Sequence, residues 1–264
     1  MTGTQPRLDA YATAAQGVPL EDLARIPANQ PFRSEGPLVP YRALNLLAQA
    51  GQSVPHEDSA ARDALAEADL VTADGEPTEA GRAIAETWRS STVQLAVNAF
   101  GLGERTAFVA RIGGGRAVVA AGPSAAELLA GQVHDPEPVR VQLASLAALP
   151  LLVASWVGLA PAWQFVVRPD RLPAALVEAR VADPTVACPD EADENLRQMW
   201  AQPWVDWRVQ TTPNGNTVGY LSAGERGQFV SWIEGDKRVL DARPPMHVWR
   251  DLIRLVDAAV AAPA

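Results

Sequence analysis

The stretch Thr92–Gly122, TVQLAVNAFGLGERTAFVARIGGGRAVVAAG, decides how this chain is built. It reads as three strands joined by two glycine-marked turns and carries no obvious catalytic side chain. In AFVARI, Phe108, Ala110 and Ile112 share one face while Val109 and Arg111 share the other, the period-two alternation of a half-buried strand. A similar block, WRVQTTPNGNTVGYLSAGERGQFVSWIEGDKRVLD, recurs at Trp207–Asp241. Its Asn214-Gly215 pair is a hairpin signal, because both central residues of that turn need positive φ. Val218 and Tyr220 then share a face, as do Phe229, Ser231 and Ile233. Two meandering sheets, each followed by an apolar helix, predict a scaffold of two related halves.

Helical spacing surrounds these blocks. Met1–Gly36 is rich in Pro, Gln, Thr and Ala and reads as an N-terminal arm. From Pro40 to Ala50, Leu44, Leu47 and Ala48 form one helical face and Gly51 is a natural stop. Ser59–Ala68 predicts a second helix through Ala61, Leu65 and Ala68, and Thr78–Arg89 a third with Ala80, Ile84 and Trp88 in register. A short helix at Ser124–Leu129, a strand over Pro136–Leu143 and a buried helix over Ser145–Val157 follow. Val141–Val167 holds no charged residue and could in length span a bilayer, but Pro150, Gly158 and Pro161 interrupt it. A buried strand, helix and strand account for it.

Two helices are predicted between the halves. The second starts at Pro189, with Asp190, Glu191, Asp193 and Glu194 in its opening turns, where carboxylates complement the helix dipole without any metal. In the last helix Val248, Trp249, Leu252, Ile253, Val256 and Val260 are expected to face inward, and Arg250, Asp251, Arg254 and Asp257 to face water.

Composition narrows the function. The 264 residues are 48% hydrophobic and 20% charged, which fits a globular chain with a substantial core. The formal charge of −9 argues against nucleic acid, since that binding rests on phosphate neutralisation by Lys and Arg. It also makes a basic or neutral partner easier to accommodate than an acidic one. Lys237 is the only lysine, so the positive charge is almost all arginine. Cys188 is the single cysteine, which excludes an intramolecular disulfide and a cysteine-based zinc cluster. The N-terminus lacks the apolar core of a signal peptide, so a cytoplasmic location is expected.

No chemistry-bearing constellation emerges. His56, His134 and His247 lie far apart and none belongs to a metal-ligand pair at helical spacing. Nothing local supports a Cys188–His pairing, and no G-x-S-x-G elbow occurs. Gly113-Gly114-Gly115-Arg116 joins two strands rather than opening a helix, so it is a turn and no phosphate loop. Ala73-Asp74-Gly75-Glu76 lacks the alternating carboxylates of a calcium loop. The helices ending at Arg89 could imitate a winged helix, but only Arg82 and Arg89 are available to meet DNA. No catalytic residue, cofactor or metal is therefore expected. Of the eight tryptophans, Trp200, Trp204 and Trp207, with Met199, form a cluster that is either packed between the halves or a docking surface.

The pieces SAARDALAEADLVTADGEPTEAGRAIAETW, TVQLAVNAFG…TAFVARIGGGRAVVAAG and GYLSAGERGQFVSWIEGDKRVLDARPPMHVWRDLIRLV, in that order, resemble the EspG family of chaperones of actinobacterial type VII (ESX) secretion. The resemblance spans roughly Pro40–Val260 and rests on diffuse patterns. It implies an α+β fold, a central antiparallel sheet from two pseudo-two-fold related halves flanked by helices, in one domain over 37–262 with halves of roughly 37–160 and 161–262. It implies a cytosolic, non-enzymatic chaperone whose partner is a secreted helical heterodimer of the Pro-Glu and Pro-Pro-Glu classes, gripped at its helical tip. By the same resemblance, the partner-binding residues are the loop Gly101, Leu102, Gly103, Glu104 and Arg105, together with a helical segment around Leu172, Leu176, Leu196, Met199 and Trp200. This loop is shorter than the family's pattern, which points to a different grip or a different substrate class. The rival readings are a winged-helix-like, ligand-responsive regulator and an enzyme with an unrecognised site.

Overall fold

The computed structural model describes residues 32–34, 36–49, 58–133, 138–162, 169–213 and 215–261. Most of the expected N-terminal arm, together with His56, His134, Trp163, Asn214 and the second strand expected in Val141–Val167, lies outside them. Strand β1 (Leu38–Pro40) leads into α1 (Tyr41–Gln49), followed by α2 (Ser59–Glu67) and α3 (Glu79–Arg89). Then come β2 (Val93–Gly101), β3 (Glu104–Gly113) and β4 (Arg116–Ala121), the three strands read from the sequence. Helix α4 (Ala125–Leu129), β5 (Pro138–Ser145) and α5 (Leu149–Trp156) complete the first half. The second half runs β6 (Asp170–Pro173), α6 (Ala174–Ala182), α7 (Glu194–Trp200), β7 (Trp204–Thr212), β8 (Thr217–Ala223), β9 (Gln228–Glu234), β10 (Lys237–Arg243) and α8 (Pro245–Ala261).

All ten strands join one sheet, ordered β1-β5-β4-β3-β2-β7-β8-β9-β10-β6, with every pairing antiparallel. Counted from edge to centre, β1-β5-β4-β3-β2 in one half matches β6-β10-β9-β8-β7 in the other. The fold is thus α+β, with two pseudo-two-fold halves flanked by helices. They meet where β2 pairs with β7, with Val97 opposite Val209 and Asn98 opposite Arg208. Each sheet edge is a strand of only three or four residues, which limits edge-to-edge pairing with other chains.

Alternation along the strands splits the interior into three parts. Leu95, Val97, Phe108, Ala110, Val119, Trp207, Val209 and Tyr220 face α4, α5 and α8. On the opposite side, Val118, Ala120, Val139 and Val141 pack under α1, α2 and α3. Trp204, Leu221, Phe229 and Leu240 pack under α6 and α7 on that same side of the second half. Each fully buried large apolar side chain contributes roughly 1.5–3 kcal/mol.

Local signals set the helix ends. Thr78 caps α3 by accepting from the Gly81 amide (3.1 Å), and Ser124 with Glu127 forms a reciprocal capping box on α4. Pro150 sits in the first turn of α5, where its missing N–H costs nothing. The inward stripe of α3 is Gly81, Ile84, Ala85 and Trp88, and Ala80 is exposed. Glycine is required there: a Cβ on residue 81 would lie 1.9 Å from the Leu70 carbonyl oxygen. Helix α7 begins at Glu194 rather than Pro189, because Asp193 is the cap and accepts from the Leu196 amide (2.8 Å). Asp190 precedes it in a turn.

The face of α8 also differs from its periodicity. Val248, Leu252, Leu255, Val256 and Ala259 are buried, while Trp249 and Ile253 are half-buried and Val260 is 43% exposed. Asp251 does not face water freely. It receives Arg243 and the Tyr220 hydroxyl (3.1 Å). The helix is rolled to keep this polar contact, which moves Leu255 inward at the expense of Val260.

Candidate partner-binding groove

Helices α4, α5 and α8 cover one side of the sheet. Among the described residues the other side is covered at its two ends, by α1–α3 and by α6–α7, and no helix lies over the middle of β2, β3 and β7. Asn98, Arg105, Arg208 and Gln210 are exposed along this strip, while Ala107 and Val109 are half-buried. Against the wall of α1 the strip deepens into a groove of about 470 Å³. Ala107, Val109, Ala120 and Val139 form its apolar floor; Tyr41, Arg42 and Asn45 form the α1 wall; Asn98 and Arg105 complete the rim.

The sheet register explains the rim. Asn98 lies opposite Ala107 on one side and Arg208 on the other, so the three stand in a row across β3, β2 and β7. Arg105, Ala107, Val109 and Arg111 then share one face of β3, at successive two-residue steps. Arg105 lies over the Phe100 ring (5.5 Å) and Arg111 over the Trp88 ring (4.7 Å). Stacking of this kind holds a guanidinium in place while leaving its N–H edge available. The polar groups of the groove are guanidinium, amide and hydroxyl groups, which recognise a ligand by hydrogen bonding and charge.

The groove ends at the β2–β3 turn. Leu102 and Gly103 adopt φ of 53° and 79°, the two left-handed positions of a type I′ hairpin. Glycine tolerates this; leucine does so at a cost of roughly 1–2 kcal/mol. The Leu102 amide donates to the Val181 carbonyl (3.0 Å), which ties the hairpin tip to the end of α6. The expected loop is therefore a two-residue turn braced by the second half. Gly101 is buried, Leu102 half-buried, and Gly103, Glu104 and Arg105 are exposed.

The expected helical segment is placed differently. Leu172, Leu196, Met199 and Trp200 are buried in the core of the second half, beneath α6 and α7, and Leu176 is half-buried against it. Their side chains pack with Trp204, Leu221 and Phe229 in that core. Burial of Trp204 and Trp207 resolves the tryptophan cluster as packing. Arg180 organises it: its Nη2 donates to the carbonyls of Trp200 (2.6 Å) and Gln202 (2.7 Å), and its guanidinium lies near the Trp200 and Trp204 rings. Burial pushes the Arg180 pKa down, opposed by the charge of Asp183. Burial pushes the Cys188 thiol up, away from the thiolate form.

Of the expected loop and helical residues, only Arg105 lines the groove. Arg42, Asn45, Asn98 and Arg208 were not anticipated. The alternation placing Arg111 and Val109 opposite Phe108 was the available signal for this face. Which helices would leave that face open was beyond local periodicity. Among the described residues no group of three or more His, Cys, Asp or Glu side chains is gathered to hold a metal, and no helix is long and apolar enough to cross a membrane.

No family model matches the sequence, and no curated protein is similar to it in sequence. Among solved structures, the chain is similar to the Mycobacterium tuberculosis type VII secretion system chaperone EspG5, solved in complex with a PE25–PPE41 dimer. The TM-score is 0.47 at 9% identity, covering 86% of this chain and 98% of that one.

Proposed function

We propose that this protein is a non-catalytic chaperone or adaptor of a type VII (ESX-like) secretion system. It acts in the cytoplasm and holds the helical tip of a secreted helical pair of the Pro-Glu and Pro-Pro-Glu kind, or a related small helical class, until export. The observation that carries this reading is the open middle of the sheet, an apolar floor with a polar rim between two helical flanks. The resemblance of its sequence patterns to the EspG family adds to it. Such a surface suits shape-selective burial of an amphipathic element and its later release. Partner contact is assigned to the rim and to the exposed part of the hairpin, Gly103, Glu104 and Arg105, with Leu102 as its braced tip. Leu172, Leu196, Met199 and Trp200 support that surface from within.

Co-expression with helical pairs encoded beside its own gene tests the proposal. A stable ternary complex, lost when the groove floor is filled by Val109→Trp, is the expected result. Failure of every such pair to co-purify with soluble wild-type protein would remove the secretion-chaperone reading.

A further inference from the structure

The chain carries a net charge of −9, yet the open strip of its sheet is cationic. Arg42 projects from α1 and Arg105 from the end of β3 nearest the hairpin, both lining the groove, while Arg208 stands farther along the strip on β7, where its side chain runs over Gly219 of β8. The ion pairs among the described residues engage Arg171, Arg238, Arg243 and Arg254, and none of these three. Asp206, the carboxylate closest along β7, is taken by Arg238. No carboxylate is among the groove's lining residues. An acidic protein has many side chains with which to neutralise exposed guanidinium groups, and among the described residues none pairs with Arg42 or Arg105 around the apolar floor.

We infer that the groove selects an acidic amphipathic helical segment, with apolar side chains on Ala107, Val109, Ala120 and Val139 and carboxylates paired to Arg42 and Arg105. This deepens the proposed function and rests on it for the helical nature of the partner. The chemistry follows from the lining. Guanidinium groups bind carboxylates in two-pronged fashion, and stacking on Phe100 pre-orients Arg105 for that geometry. The Asn45 and Asn98 amides can donate to the free carbonyls at the C-terminal end of a helix, where the dipole is also negative. The preference is opposite to the one that net charge alone predicts, since the protein as a whole attracts cations.

That opposition makes the inference testable with defined probes. Three fluorescently labelled 20-residue helical peptides share a leucine face and carry Glu, Gln or Lys elsewhere. Binding to the full chain is read by anisotropy at 50 and 300 mM NaCl. The Glu peptide should bind about ten-fold tighter than the Gln peptide and tighter still than the Lys peptide, with the margin shrinking at high salt. Arg42→Glu/Arg105→Glu should reverse the order, and Arg42→Gln/Arg105→Gln should level it; circular dichroism and thermal melts verify that both variants are folded. Equal binding of the three peptides, a preference for Lys, no binding at all, or an order unchanged in the folded Glu variant would each overturn the inference. The secretion-chaperone reading is judged separately, since a helical pair can co-purify whatever the charge preference of the groove.

Discussion

Arg243, the last residue of β10, grips Asp251 in the second turn of α8 from two sides, with Nη2 at 2.9 Å from Oδ1 and 2.7 Å from Oδ2, and Nε at 3.1 Å from Oδ2. The two residues are joined by the Pro244-Pro245 corner, and the Tyr220 hydroxyl donates to the same carboxylate. Asp251→Ala should therefore cost about 1–3 kcal/mol in urea unfolding, because it strands a part-buried guanidinium and hydroxyl. Asp257→Ala, on the outer face of the same helix, should change stability by less than about 0.5 kcal/mol.

Tyr220 gives the same contact a pH signature. Burial, reinforced by the negative charge of Asp251, holds its phenol well above the usual tyrosine value. Its folded pKa therefore exceeds its unfolded pKa of about 10. The contribution to stability is fully present below that unfolded value and is lost as the pH climbs toward the folded one. Thermal melts from pH 8 to 11 should show a fall in stability beginning near pH 10, about the unfolded tyrosine value, and Tyr220→Phe should flatten it. An equal fall in both proteins would locate the alkaline transition elsewhere.

At the hairpin tip, Leu102 occupies a left-handed conformation that asparagine or glycine accepts more readily. Leu102→Asn should raise stability by about 0.5–1 kcal/mol, because relief of strain outweighs the loss of a half-buried side chain. The half-buried Leu102 side chain stands at the hairpin tip assigned to partner contact. Partner capture should then weaken in the same variant that gains stability, read by pull-down and chemical denaturation on one protein preparation.

Trp200 and Leu196 are inside the second half, so their truncation should act on folding. Trp200→Ala is expected to cost about 3–5 kcal/mol and Leu196→Ala about 2–5 kcal/mol. Loss of soluble protein, or a broad and lowered melting transition, is the expected readout. A fully stable Trp200→Ala that merely loses its partner would instead put this tryptophan at the interface.

Gly81 tests close packing in the first half. Alanine is the better helix former by about 1 kcal/mol, yet its Cβ would lie 1.9 Å from the Leu70 carbonyl oxygen. Gly81→Ala should lower the melting temperature, because backbone rather than a flexible side chain would have to move. A rise would mean that the Leu70 segment shifts freely.

By itself the sequence determined the elements of this protein. Alternation at Phe108–Ile112 and the paired glycines of the turns specify β2, β3 and β4, and Thr78 and Ser124 mark helix starts, because these are local steric and hydrogen-bonding preferences. Repetition of the strand block foretold two halves. Only the tertiary structure decided what those elements face. Joining β2 to β7 brings Asn98 beside Arg208 from 110 residues away; folding α6 and α7 over the second half buries Met199 and Trp200; rolling α8 toward Asp251 exposes Val260. Periodicity tells which residues share a face, but whether that face is covered depends on helices distant in sequence. The groove exists because the helical flanks of the two halves leave the middle of their shared sheet uncovered.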